Sequence, residues 1–181
     1  SSHLWESLKQ IRRCWLRLAA FFVFLSAEKL RAAAHVISDS VYKEFTGSQG
    51  AFQSRMAYIV RSEVEYQRYR YKLMVSDWDG YGAKEVYASW KPLLSPSWSP
   101  DTKNVAFVTY SSRGPIIKTI NLSTGKDQVI ADFNGVNSAP AWSPDGTQIA
   151  YSTSRHGSPD IYIYDTLSKQ HQRITSHYGI D

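Results

Sequence analysis

Two hydrophobic periods divide this chain. Over residues 27–46 the apolar positions Leu30, Ala33, Ala34, Ile37, Val41 and Phe45 recur at spacings of three and four. That spacing draws one stripe down a helix. Ser26 is placed to cap its start, and Gly47 to take the left-handed position that ends it. His35 falls off the stripe, which reads as a solvated helix residue rather than a ligand. After Gly50 the period shortens to that of strands. Short alternating runs lie at 56–61, 71–77, 85–88, 97–99, 105–110, 116–121, 128–131, 141–143, 149–153, 161–165 and 172–175, separated by Gly, Pro, Ser and Asp. They stand too close together for crossover helices, so the pattern predicts antiparallel meanders.

An internal repeat narrows the fold. Pro96-Ser97-Trp98-Ser99-Pro100-Asp101-Thr102 returns as Pro140-Ala141-Trp142-Ser143-Pro144-Asp145-Gly146, with Trp98 and Trp142 44 residues apart. At the same offset Val105-Ala106-Phe107-Val108-Thr109 becomes Ile149-Ala150-Tyr151-Ser152-Thr153, and Asp77, Asn121 and Asp165 each close a strand. A unit of about 40–45 residues with four short strands is the signature of a β-propeller. The fold class is therefore mainly β: a partial propeller of antiparallel four-stranded blades, preceded by an α-helix. Residues 96–131 and 140–175 make two blades, and 55–88 supply three strands of an earlier one that lacks its innermost strand. The expected organisation is an unassigned segment 1–26, a helix and junction at 27–50, and a partial propeller at 51–181. Two and a half blades cannot close a ring, which points to a portion of a longer protein. Within each unit the Ser-Pro-Asp-Gly stretch is turn chemistry, so Asp101 and Asp145 read as turn residues rather than catalytic ones.

Composition removes several classes. Of 181 residues, 43% are hydrophobic and 14% aromatic, which excludes a disordered chain. The single cysteine, Cys14, excludes a disulfide scaffold, and no apolar run reaches the length of a membrane span. The net charge is +5, but residues 96–181 balance seven Lys/Arg against seven Asp/Glu. A nucleic-acid partner, which would want basic charge on one working surface, is not indicated. The stretch Tyr66-Gln67-Arg68-Tyr69-Arg70-Tyr71-Lys72 interleaves bases and aromatics as single-strand binders do. Its place between two strands reads better as a hairpin with cross-strand tyrosines.

At the N-terminus, Lys9, Arg12 and Arg13 precede an apolar stretch at 15–25 that Arg17 interrupts. This is a weak signal-peptide pattern. The competing readings are an amphipathic helix against a partner domain and a stretch foreign to the rest of the chain.

No motif of catalysis appears: no Gly-x-Ser-x-Gly, no His-Glu-x-x-His and no phosphate loop. The histidines His3, His35, His156, His171 and His177 do not fall at metal-ligand spacings. No cofactor, metal or enzymatic activity is predicted.

Three stretches resemble the TolB family of the Tol–Pal system. They are Leu30-Arg31-Ala32-Ala33-Ala34-His35-Val36-Ile37-Ser38-Asp39 running on to Phe45-Thr46-Gly47; Gly50-Ala51-Phe52 with Arg55-Met56-Ala57-Tyr58-Ile59-Val60; and Leu73-Met74-Val75-Ser76-Asp77-Trp78-Asp79-Gly80-Tyr81. The resemblance implies a periplasmic, non-enzymatic propeller scaffold that binds Pal, the peptidoglycan-associated lipoprotein, and supports outer-membrane integrity and its invagination at cell division. The family's N-terminal segment that contacts TolA has no counterpart in residues 1–26. The alternative is an accessory propeller of a prolyl-oligopeptidase-like serine hydrolase, which a Gly-x-Ser-x-Gly further along the gene would reveal. In a propeller, the loops between blades and those between second and third strands share one face around the channel mouth. The candidate partner-binding residues there are Leu93, Ser95, Arg113, Asn134, Val136, Asn137, Ser138, Ala139, Arg155 and His156. Asn134, Asn137 and Ser138 offer hydrogen bonds, Arg113 and Arg155 charge, and Ala139 close approach.

Overall fold

The computed structural model describes residues 27–176. The expectations for residues 1–26, for Ser26 as a cap and for His177 lie outside that range. The chain divides into two compact units at the Ser54/Arg55 boundary.

In the first unit, helix α1 spans Ala27–Thr46. Gly47 takes φ +74° and returns its N–H to the carbonyl of Lys43 at 2.8 Å, which ends the helix as the sequence predicted. The lower half of the apolar stripe stays open to solvent, with Phe45 82% exposed. What fixes the junction is instead polar. Asp39 is buried on α1 and accepts hydrogen bonds from the Phe52 N–H at 2.8 Å and from Gln53 Nε2 at 2.7 Å. Gly50 makes this possible: a Cβ there would lie 2.3 Å from Asp39 Oδ1 and 2.9 Å from its Cα. Tyr42 and Phe52 meet edge to face at 6.1 Å. The Gly-x-x-Gly-Ala-Phe junction is thus a latch between helix and following chain.

The described residues of the second unit form eleven strands, β1 Arg55–Glu65, β2 Arg68–Asp77, β3 Lys84–Ser89, β4 Leu94–Trp98, β5 Asn104–Tyr110, β6 Pro115–Asn121, β7 Asp127–Ala131, β8 Asn137–Trp142, β9 Gln148–Thr153, β10 Asp160–Asp165 and β11 His171–Arg173. They form three antiparallel meander sheets, β1-β2-β3, β4-β5-β6-β7 and β8-β9-β10-β11. Every predicted run became a strand. The longest are β1 and β2, at 11 and 10 residues against five to seven for β4–β7, and β8, expected at 141–143, begins four residues earlier at Asn137.

Repeat and register agree. Trp98 pairs with Val105 and Trp142 with Ile149, the same place in successive sheets. Each innermost strand also carries a bulge, set where register shifts between Leu94 and Ser97 and between Ser138 and Ala141. The bulge residues Ser95 and Ala139 have φ of 49° and 52°. Pro96 and Pro140 sit inside these bulges, where a missing N–H costs no ladder bond.

The sheets stack through two apolar layers. Leu73 and Val75 of the first meet Leu93, Val105, Phe107 and Ile120 of the second. Val108, Ile117 and Ile130 of the second meet Ile149, Tyr151, Tyr162 and Tyr164 of the third. The alternation along β10, where Asp160, Tyr162 and Tyr164 are buried and the residues between are not, shows period-two patterning feeding one face of the sheet.

On one edge of the sheets the predicted turns form as expected. Ser99 and Ser143 donate Oγ–H to Asp101 and Asp145 at 2.6 Å each, and the Lys103 and Thr147 N–H groups add bonds at 3.1 Å. Those donors, the serine hydroxyls first, hold both carboxyls below their ordinary range. Asn121 and Asp165 cap the next turns in the same way, accepting from the N–H groups two and three residues on.

Candidate partner-binding face

The opposite edge gathers the inter-sheet connections and the loops between second and third strands. Three loops converge there around one side chain. Asn137 Nδ2 donates to the carbonyls of Phe133 at 2.7 Å and Pro115 at 2.9 Å, while its Oδ1 accepts from Thr153 Oγ1 at 2.9 Å. One amide therefore joins the connection 132–136, the exit of loop 111–114 and the end of β9. The Val136 N–H donates to Ser154 Oγ at 2.8 Å, and Ser154 N–H returns to the Val136 carbonyl at 3.0 Å. Gly135 permits this contact, since a Cβ there would stand 2.3 Å from Ser154 Oγ.

This geometry corrects two of the predicted contact residues. Asn137 is fully buried, so its hydrogen-bonding groups are spent on its own loops and none is offered to a partner. Leu93, at the same place one repeat earlier, is 2% exposed and belongs to the apolar layer between the first two sheets. The physical cause is the same at both positions: the residue entering the first strand of a four-stranded sheet lies between neighbouring sheets, not on the surface. Asn137 braces its loops, and Leu93 packs between the sheets.

The others are on the surface. Asn134, Val136, Ala139 and Ser95 are exposed, and Ser138 is half-buried. Ser95 and Ala139 are presented by the two bulges. Arg113 is exposed and forms an ion pair with Asp132. Arg155 lies over the Phe133 ring at 4.2 Å and over Tyr162 at 5.3 Å. His156 stacks on Tyr162 with centroids 6.4 Å apart. Adjacent residues Asp132 and Phe133 thus orient one arginine each. Sequence reasoning missed both, although an acid and an aromatic directly after β7 are a readable signal.

Beneath Arg155 lies a titratable group that faces the apolar layer. His171 Nδ1 is 2.8 Å from Tyr151 Oη and is surrounded by Phe133 and Tyr164 at 5.0 Å each. Burial, and secondarily the Arg155 charge, lowers its pKa below the usual histidine value. Among the described residues, no three His, Cys, Asp or Glu side chains converge as metal ligands, and no helix is long and apolar enough to cross a membrane.

Comparison with known proteins places these features in a family. Residues 42–181 match the family described as the TolB beta propeller domain. The Tol-Pal system protein TolB of Acinetobacter baylyi is 42% identical over 113 residues, 62% of this chain and 26% of the relative. That of Azoarcus sp. is 41% identical over 122 residues, 67% of this chain and 27% of the relative. The chain therefore spans about a quarter of the length of these relatives. The crystal structure of TolB from Acinetobacter baumannii superposes with a TM-score of 0.77 at 40% identity, covering 87% of this chain and 39% of that one. A puromycin hydrolase also superposes, with a TM-score of 0.58 at 14% identity, a likeness of fold alone. The repeat, the matched register of its tryptophans and the family match agree: this chain belongs to the TolB β-propeller family of Tol–Pal system proteins.

Proposed function

We propose that this chain is the portion of a periplasmic, non-enzymatic TolB scaffold that presents its loop-bearing face to the lipoprotein Pal, and so supports outer-membrane integrity and invagination at division. The observation that carries the reading is the convergence of three loops on Asn137. A buried amide spent on bracing loops leaves a pre-ordered surface, and pre-ordered surfaces bind with less entropy lost. Arg113 and Arg155, each already oriented by a neighbour, add charge at low entropic cost. The binding surface of this proposal is Asn134, Val136, Ala139, Ser95, Arg113, Arg155 and His156, with Asn137 bracing its loops and Leu93 packed between the sheets.

The test is a Pal-binding titration with the full-length parent protein. Asn134→Trp and Val136→Trp are expected to weaken binding at least tenfold with unchanged melting temperature. Lys103→Trp, on the opposite edge, is expected to leave it unchanged. Loss from both edges alike would overturn the assignment of the face.

A further inference from the structure

The chain has four asparagines, Asn104, Asn121, Asn134 and Asn137, and the fold engages three of them. Asn121 Nδ2 donates to Asn104 Oδ1 at 3.1 Å, and Asn121 Oδ1 accepts from the Ser123 and Thr124 N–H groups. Asn137 is spent on Phe133, Pro115 and Thr153. Asn134 differs. It is exposed, and among the described residues neither its side-chain amide nor the Gly135 N–H forms a hydrogen bond.

The following residue separates them further. Val105 and Leu122 put branched side chains beside the backbone nitrogen that follows Asn104 and Asn121, and Asn137 with its Ser138 is held by burial. Gly135 leaves its nitrogen bare. The fold requires that glycine: it takes φ +93°, and a Cβ there would stand 2.3 Å from Ser154 Oγ. A side chain that shielded the Asn134–Gly135 bond would push loop 132–136 off Ser154.

We propose that Asn134 is a site of spontaneous covalent modification, through attack of the Gly135 backbone nitrogen on Asn134 Cγ. Hydroxide takes the N–H proton, a bond from nitrogen to Cγ closes a succinimide ring, and the side-chain nitrogen leaves as ammonia. Water then opens the ring. Cleavage at Cγ gives aspartate. Cleavage at the former backbone carbonyl gives isoaspartate, whose main chain runs through Cβ and Cγ. Nothing is oxidised or reduced.

The two products differ in consequence. Aspartate keeps the backbone and adds a carboxylate next to Phe133, on which Arg155 rests. Isoaspartate adds one main-chain atom between two pinned groups. These are the Phe133 carbonyl, held by Asn137 Nδ2 at 2.7 Å, and the Val136 N–H, held by Ser154 Oγ at 2.8 Å. An extra C–C bond is about 1.5 Å long. Taken up at either contact, it exceeds hydrogen-bond range. One pin is released, and the loop-bearing face loses part of its brace. This site does not depend on the Pal reading, because it concerns only the bonding of loop 132–136.

The experiment ages the folded full-length parent protein at mildly alkaline pH and follows it by peptide mass spectrometry. Isoaspartate is read by methyl transfer from S-adenosylmethionine with an isoaspartyl methyltransferase. Asn134 is expected to convert at least tenfold faster than Asn104, Asn121 or Asn137, giving isoaspartate as well as aspartate. In urea, Asn137 is expected to accelerate at least tenfold, because unfolding frees its amide, whereas Asn134 changes only a few-fold. Asn134→Gln is expected to abolish methyl acceptance at this position and, after equal ageing, to keep a higher urea midpoint than the aged parent. Conversion of Asn134 no faster than that of Asn137 in the folded protein, a tenfold rise of the Asn134 rate in urea, aspartate without isoaspartate, or equal midpoints of the aged parent and aged Asn134→Gln would each overturn the proposal.

Discussion

Leu93 and Asn137 occupy the same place in successive sheets, 44 residues apart, and one is an apolar core residue while the other is a hydrogen-bonding hub. Both are buried. The difference lies in what surrounds them. Leu93 packs with Leu73, Val75 and Phe107, whereas Asn137 meets two loop carbonyls and the Thr153 hydroxyl. Asn137→Leu would import the side chain that the repeat uses one unit earlier and leave those three groups unpaired. We expect a loss of about 3 kcal/mol, read as a lower urea midpoint with unchanged slope. A neutral result would mean that water satisfies the freed groups and that the hub is dispensable.

A second expectation concerns the equivalent turn positions Thr102 and Gly146, with φ of 56° and 73°. Both are left-handed, and a β-branched residue is strained there. Thr102→Gly should stabilise by about 0.5–1 kcal/mol, the relief of strain exceeding glycine's greater freedom in the unfolded chain. Gly146→Thr should destabilise through its backbone alone, because a Cβ there meets nothing closer than Pro100 Cδ at 3.6 Å. Thermal melts of the two single variants, moving in opposite directions, would check this.

The helix latch makes a third. Gly50→Ala would drive a Cβ to 2.3 Å from Asp39 Oδ1 and to 2.9 Å from Asp39 Cα, which is backbone and cannot swing aside. The junction must open, at a cost of about 1–3 kcal/mol. Limited proteolysis should cut Gly50→Ala faster than the parent chain between residues 47 and 54. Unchanged cutting would show that the latch does not hold the junction.

The pH dependence follows from His171. Its pKa is lowered in the folded state by burial and by Arg155. As pH falls below the ordinary histidine value, the unfolded chain binds the proton first, so stability is complete above about pH 6.5 and is lost as the pH drops below it. Histidine NMR titration should place His171 below the ordinary histidine value. A His171→Phe chain should lose less stability than the parent between pH 7.5 and 5.5. A His171 that titrates normally would remove this slope.

The eleven strands, the two tryptophan-bearing inner strands and the Asp-capped turns were legible in the sequence because they rest on local causes. A period of two, a proline-set φ and a side chain reaching its own backbone two residues on need no distant partner. The bounds of β1 and β2 were less legible, since the tip residues 63–68 are exposed and carry no apolar–polar alternation that a buried face would impose. The offset of 49 between Met56 and Val105, against 44 between their strand partners Ser76 and Ile120, nonetheless marks the longer hairpin. The roles of Asn137, Leu93 and Asp39 were decided only by tertiary structure. Each sits at a chain position where local pattern predicts a solvated loop or helix surface, and each is buried because a segment 13 to 22 residues or more away, or a neighbouring sheet, closes over it. A polar residue becomes a brace rather than a contact when distant carbonyls and N–H groups reach it before water does, and that is a property of the packed sheets, not of the repeat.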